Sequence, residues 1–133
     1  MSNERSKELI LLADDSMITL TVMSERLLET GYDVVTATRG DEALTLAQER
    51  RPHLVVLDIA MPGMDGIEVS QRLREDHTFA EVPIVLLTMH SLSDYLQEGL
   101  EAGADAYIVK PVGPRKLTSL LEELLRGRGP LAA

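Results

Sequence analysis

The chain has 133 residues and a formal net charge of −9, with 44% hydrophobic and 3% aromatic residues, no tryptophan and no cysteine. That length suits one domain with a core of Leu, Val, Ile, Ala and Met. The missing cysteines exclude disulfides, thiolate chemistry and Cys-based zinc sites, and three scattered histidines offer no His-rich metal site. The acidic balance argues against nucleic-acid binding by phosphate neutralisation. No apolar run approaches a membrane span, and residues 1–7 are polar with no signal region. The expected class is a cytoplasmic α/β domain over 1–133, with its core at about 8–126 and a tail or linker stub at 127–133.

Residues 8–13 (Glu-Leu-Ile-Leu-Leu-Ala) form a short unbroken apolar run ending on Asp14 and Asp15, which reads as a buried strand. A helix follows from about Met17 to Thr30, with Leu20, Met23 and Leu27 on one face, Ser16 or Asp15 as cap and Gly31 just past its end. Residues 32–37 are rich in β-branched side chains and read as a second strand. A second helix starts at Gly40-Asp41-Glu42, turns Ala43, Leu44 and Ala47 inward and stops before Pro52.

Leu54 to Leu57 is another unbroken apolar run, and it stops on Asp58. A third helix spans 67–76, with Val69 and Leu73 four apart, and a fourth strand spans 84–87 and stops on Thr88. A weaker fourth helix runs over 92–102 to Gly103, followed by a fifth strand over 104–109 that stops on Lys110-Pro111. Gly113-Pro114 opens a last helix with Leu117, Leu120, Leu121 and Leu124 as its buried stripe. Five βα units in alternation predict a parallel sheet with helices on both faces and right-handed crossovers.

In such a sheet the carboxyl ends of the strands share one edge, where open α/β folds bind ligands. Asp14, Asp15, Asp58, Thr88 and Lys110 therefore meet there. Singly, each has an ordinary reading as a turn cap, a strand residue or a solvated lysine. Together, three crowded carboxylates repel unless a cation sits among them. Mg²⁺ (or Mn²⁺), a hard cation that binds oxygen and keeps waters, suits that set. Asp58, alone on its strand, is then the best nucleophile toward phosphorus. Asp14 and Asp15 suit the metal, one directly and one through water. Thr88 and Lys110 can bind phosphoryl oxygens.

With these residues in hand, the sequence resembles the receiver domain of two-component response regulators, the CheY-like family. The resemblance covers about 8–126 and rests on Asp14-Asp15, the loop Asp58-Ile-Ala-Met-Pro-Gly-Met-Asp-Gly66, Thr88, Tyr107 and Lys110-Pro111. It implies a (βα)5 flavodoxin-like sandwich with a five-stranded parallel sheet in the order 2-1-3-4-5. It implies phosphoryl transfer to Asp58 from a sensor histidine kinase or phosphotransfer protein. Mg²⁺ would be held by Asp15, Asp58 and the backbone carbonyl of Ala60, with Asp14 in the outer shell. It implies a cis bond at Lys110-Pro111, a switch in which Thr88 and Tyr107 move, and changed partner affinity at the surface of the fourth helix, fifth strand and fifth helix. The target is a downstream protein or a linked output domain outside this chain. The domain itself would contact neither nucleic acid nor membrane. It would be no enzyme beyond its own phosphorylation and dephosphorylation.

Three positions depart from the usual pattern or tune rates within it. Met89 stands where the family usually has a small residue, and could restrict access to Asp58 or simply fold aside. Ala60 and His90 occupy positions that tune dephosphorylation. Two other readings stay open: a receiver-like interaction module that does not depend on phosphorylation, and a Mg²⁺-dependent phosphohydrolase. The second wants another acid two residues after Asp58, where Ala60 stands.

Overall fold

The computed structural model describes residues 7–89, 98–99 and 101–127. Among them, five strands form one parallel sheet: β1 (Leu9–Ala13), β2 (Asp33–Ala37), β3 (Leu54–Asp58), β4 (Ile84–Thr88) and β5 (Ala106–Val109), in the order β2-β1-β3-β4-β5. The pairing is in register, with Leu11 beside Val35 and Val55, and Leu86 beside both Leu57 and Tyr107. β1, β3 and β4 are the unbroken apolar runs. Their side chains are buried on both faces of the sheet, as parallel strands covered on each side require.

Alternation along the strands sorts those side chains into two layers. Ile10, Leu12, Leu54, Val56, Val85 and Leu87 pack with Leu20, Met23 and Leu27 of α1 (Met17–Thr30) and with Leu117, Leu121 and Leu124 of the C-terminal helix (Pro114–Gly127). Leu11, Ala13, Val55, Leu57, Ile84 and Leu86 pack with Ala43 and Ala47 of α2 (Gly40–Arg50) and with Val69 and Leu73 of α3 (Gly66–Arg74). Each such fully buried Leu or Ile contributes about 1.5–3 kcal/mol of hydrophobic stabilisation.

Local chemistry sets the helix ends. Ser16 Oγ accepts the Thr19 amide at 3.2 Å and starts α1, and Gly31 ends it with φ of 112°. Asp65 Oδ1 accepts the Glu68 amide at 2.8 Å and starts α3. The third helix is shorter than its expected span. After Arg74 the chain turns, and a 3-10 segment (His77–Phe79), capped by Asp76, seats Phe79 in the α2/α3 layer. β2 and β5 each begin later than expected, at Asp33 and Ala106. In the C-terminal helix, Thr118 is buried and Leu120 only partly so. The Thr118 hydroxyl donates to the Arg115 carbonyl, which satisfies it.

The helix expected over 92–102 falls largely outside the described residues; Glu98, Gly99 and Glu101 are helical. No described helix is long and apolar enough to cross a membrane.

Candidate functional site

The carboxyl edge of the sheet collects most of the singled-out residues. Asp14 follows β1 and is fully buried, while Asp58, the last residue of β3, is 4% exposed. Lys110 follows β5, and its amide donates to the Thr88 carbonyl at 2.7 Å, which fixes where its side chain begins. The Lys110 Nζ lies 2.6 Å from Asp14 Oδ2 and 3.4 Å from Asp58 Oδ2. Asp14 Oδ1 accepts the Ser16 amide at 2.9 Å, so the residue that caps α1 also holds this carboxylate. The peptide bond Lys110–Pro111 is cis.

Asp14, Asp15 and Asp58 each offer a carboxylate oxygen within 4.8 Å of the others. At an effective dielectric of about 20, two like charges so spaced repel by roughly 3 kcal/mol. One ammonium cannot balance three carboxylates. The effect shows at Asp58, whose pKa is raised to about 6, first by burial and then by the Asp14 charge. Lys110 and the neighbouring Ala60 backbone amide pull the other way. At Lys110 burial disfavours the ammonium, but the two facing carboxylates outweigh it and raise its pKa above the ordinary lysine value. Such an all-oxygen set with a residual negative charge fits a hard divalent cation. The exposed Asp15 and the buried Asp58 open toward the same space, while Asp14 is engaged by Lys110 and the Ser16 amide.

That space is a cleft of about 680 Å³ that includes Asp15, Asp58, Ala60, Met89, Lys110 and Pro111 in its lining. Alternation explains why. Asp14 and Asp58 continue the series Ile10–Leu12 and Leu54–Val56, so they fall on the α1 side of the sheet. Thr88 and Tyr107 are not in the cleft lining. Tyr107 packs with the α2/α3 layer, and Thr88 continues its neighbour Leu86 on that same side. Thr88 is 2% exposed, and the Tyr107 hydroxyl is buried. Met89 projects into solvent at the cleft rim, 72% exposed. His90 lies outside the described residues.

The sequence reading did not find the far wall. Ile18 and Val22 of α1 line the cleft together with Met23 and Val112. Ile18 is 79% exposed. The signal was present: Met17, Ile18 and Val22 are apolar yet lie off the Leu20–Met23–Leu27 stripe that reaches the core.

Known proteins resemble this chain along most of its length. Residues 10–122 match the family model of the response regulator receiver domain. A probable transcriptional regulator, ycf27 of Cyanophora paradoxa, is 44% identical over 124 residues, covering 92% of this chain and 50% of that protein. The chain spans about half the length of the curated relatives it matches. Among solved structures, the chemotaxis response regulator CheY4 of Vibrio cholerae superposes with a TM-score of 0.85 at 34% identity, over 90% of this chain and 99% of that one. The receiver domain of sensor histidine kinase PA1611 from Pseudomonas aeruginosa is described with a magnesium ion coordinated in its active site cleft. It gives a TM-score of 0.83 at 28% identity, over 90% of this chain and 98% of that one. A parallel sheet in the order 2-1-3-4-5, an acid-lined cleft at its carboxyl edge and these matches agree: the chain belongs to the response regulator receiver domain family of two-component systems.

Proposed function

We propose that this domain is a phosphoacceptor switch that takes a phosphoryl group on Asp58 from a sensor histidine kinase or phosphotransfer protein in the cytoplasm. The observation that carries the reading is the setting of Asp58, a nearly buried carboxylate that opens into a cleft shared with Asp15, Ala60 and Lys110. With a pKa raised to about 6, Asp58 is still mainly ionised at neutral pH and able to act as a nucleophile.

In the transfer, an Asp58 carboxylate oxygen bonds to phosphorus as the bond from phosphorus to the donor imidazole nitrogen breaks, and the imidazole departs with that electron pair. The Lys110 ammonium, already between Asp14 and Asp58, can follow the incoming phosphoryl oxygen. The neighbouring Ala60 amide favours the ionised form of the attacking carboxylate. Asp15, Asp58 and the Ala60 carbonyl would hold Mg²⁺ (or Mn²⁺), with Asp14 acting through water. A cation bound there would neutralise charge on the phosphoryl oxygens. Thr88, at the end of β4, would bind a phosphoryl oxygen, and its movement together with that of Tyr107 would alter the output surface.

The exposed apolar side chains of Met17, Ile18, Val22 and Met89 support a protein donor. Ile18, Val22 and Met89 line the cleft itself, so a partner covering them would bring its phosphohistidine to Asp58. Output passes to a downstream protein or to a linked output domain, as the regulator names among the longer relatives suggest.

Incubation with a small-molecule acyl phosphate and Mg²⁺ should add one phosphate, visible by intact mass, and Asp58→Asn should abolish the addition. No addition, or the same addition in the variant, defeats the reading. If the protein also fails to bind beryllofluoride, it is an interaction module with the receiver fold. Release of inorganic phosphate from a generic phosphate ester beyond one equivalent would instead make it a phosphohydrolase.

A further inference from the structure

The loop from Ile59 to Asp65 carries Ala60, which lines the cleft beside Asp58. Something must hold that loop, and its inner end is anchored by Gly66. The Gly66 amide donates to the Ile59 carbonyl at 2.9 Å, and a Cβ there would stand 2.4 Å from the Asp58 carbonyl oxygen. The outer end rests on α2. The N-cap position of α2 is Arg39, whose side chain makes no capping hydrogen bond and instead pairs with Asp41 at 3.0 Å. The first amide of the helix would then be an orphan donor. The loop supplies the acceptor: Gly40 N–H donates to the Pro62 carbonyl at 3.2 Å. The approach is so close that a Cβ on Gly40 would lie 1.6 Å from the Met64 carbonyl oxygen. Met61 and Met64 then tuck into the same layer as Ala43 and Ala47. The helix start and the loop cap each other.

We propose that Gly40, on a helix that contributes nothing to the cleft lining, is a positioning residue for the cation and phosphoryl chemistry of Asp58. It seats the 59–65 loop so that Ala60 lines the cleft beside Asp58. The obstacle to any side chain at position 40 is backbone, so the loop as a whole must shift to admit one. A shift of the loop displaces Ala60 from its place beside Asp58, and with it the carbonyl that would serve the cation. This inference rests on the Mg²⁺ reading of the cleft.

The test is a titration of Mg²⁺ alone into the wild-type protein, Gly40→Ala and Gly31→Ala, followed by the NMR shifts of the Asp58 to Ala60 amides, with urea denaturation alongside. Gly40→Ala should bind Mg²⁺ at least about tenfold more weakly, the scale of lost support around a metal ligand. Its metal-free Ala60 amide should also shift. Gly31→Ala is the control. At φ of 112° with open space around it, an alanine there strains the backbone far from the cleft, and should lower stability while leaving Mg²⁺ affinity unchanged. Wild-type affinity in folded Gly40→Ala overturns the positioning role, as does an equal loss in Gly31→Ala. Absence of Mg²⁺ binding by the wild-type protein overturns the cation reading itself, and this proposal with it. Should Gly40→Ala fail to fold, Gly63→Ala strains the same loop directly, because Gly63 has a φ of 82° that an alanine adopts only with difficulty. It should weaken Mg²⁺ binding by about threefold or more, and unchanged affinity there overturns the proposal.

Discussion

The two edges of the sheet handle charge in opposite ways. At the amino edge, Arg74 of α3 is matched to its surroundings. Its guanidinium donates to the carbonyls of Gly103, Phe79 and Val82 and to Asp105, the last at 2.8 Å. Asp105 in turn accepts the amide that opens β4, Ile84 N–H, at 2.9 Å. Nearby, Ser70 donates from α3 to the Ala102 carbonyl at 2.8 Å. Donors and acceptors balance, and the network ties α3 to the starts of β4 and β5. At the carboxyl edge, Asp14, Asp15 and Asp58 crowd together, and among the described residues Lys110 alone lies between the two buried ones. One edge is satisfied as it stands; the other carries a charge deficit that a cation and a phosphoryl group would relieve. The same sheet thus separates the place that holds the fold together from the place where charge is left unbalanced.

The contrast predicts opposite signs for charge removal. The largest effect is expected at the amino edge. Arg74→Met should lower stability by about 3 kcal/mol, because it strands a partly buried carboxylate and three carbonyls. A loss under about 1 kcal/mol in urea denaturation would show that something other than this network ties the helix to the strands.

Next comes Asp58→Asn, with the opposite sign. The folded-state pKa of Asp58, about 6, lies above the ordinary 3.8, so between these values the fold keeps a proton that the unfolded chain has lost. Stability from this group is full below the lower value and is lost as pH rises through the higher one. At neutral pH without metal the variant should therefore be more stable than wild type by about 1–2 kcal/mol, after allowing for solvent screening. The gap should close as the pH falls toward that of a free carboxyl. Added Mg²⁺ should stabilise wild type more than the variant. A variant that is less stable at neutral pH would erase the contrast between the edges.

The smallest effect belongs to the solvent-facing pair Arg72–Glu68, 3.1 Å apart on α3 with both side chains about half exposed. Arg72→Ala should change stability by less than about 0.5 kcal/mol. A larger loss would mean that α3 depends on its outer face as well as on Arg74.

The carboxyl edge was legible in the sequence because its parts lie at the ends of apolar runs. Leu54 to Leu57 marks a strand, and Asp58 is where it stops. Once the sheet is parallel, Asp14, Asp58 and Lys110 must meet. The amino edge was not legible. Three of the acceptors for Arg74 are backbone carbonyls that only the folded chain brings together, and a lone arginine near a helix end signals nothing. Phe79 was missed for a related reason, since one buried aromatic in a 3-10 turn has no period to reveal it. Gly40 read only as a helix start, because its contact with Met64 depends on a loop distant in sequence. Thr88 was expected to share the edge with Lys110, and it does, but strand alternation assigns it to the face of Leu86 and Tyr107.

The order of the strands also bears on how the molecule comes together. β1, the first strand made, lies between β2 and β3, so both of its neighbours exist once Asp58 has been synthesised. A three-stranded nucleus flanked by α1 and α2 can therefore assemble before β4 and β5 are available to extend it on one side. Hydrogen exchange in the native protein should then be slowest at the amides of β1 and β3, and progressively faster toward β5, the strand that joins last.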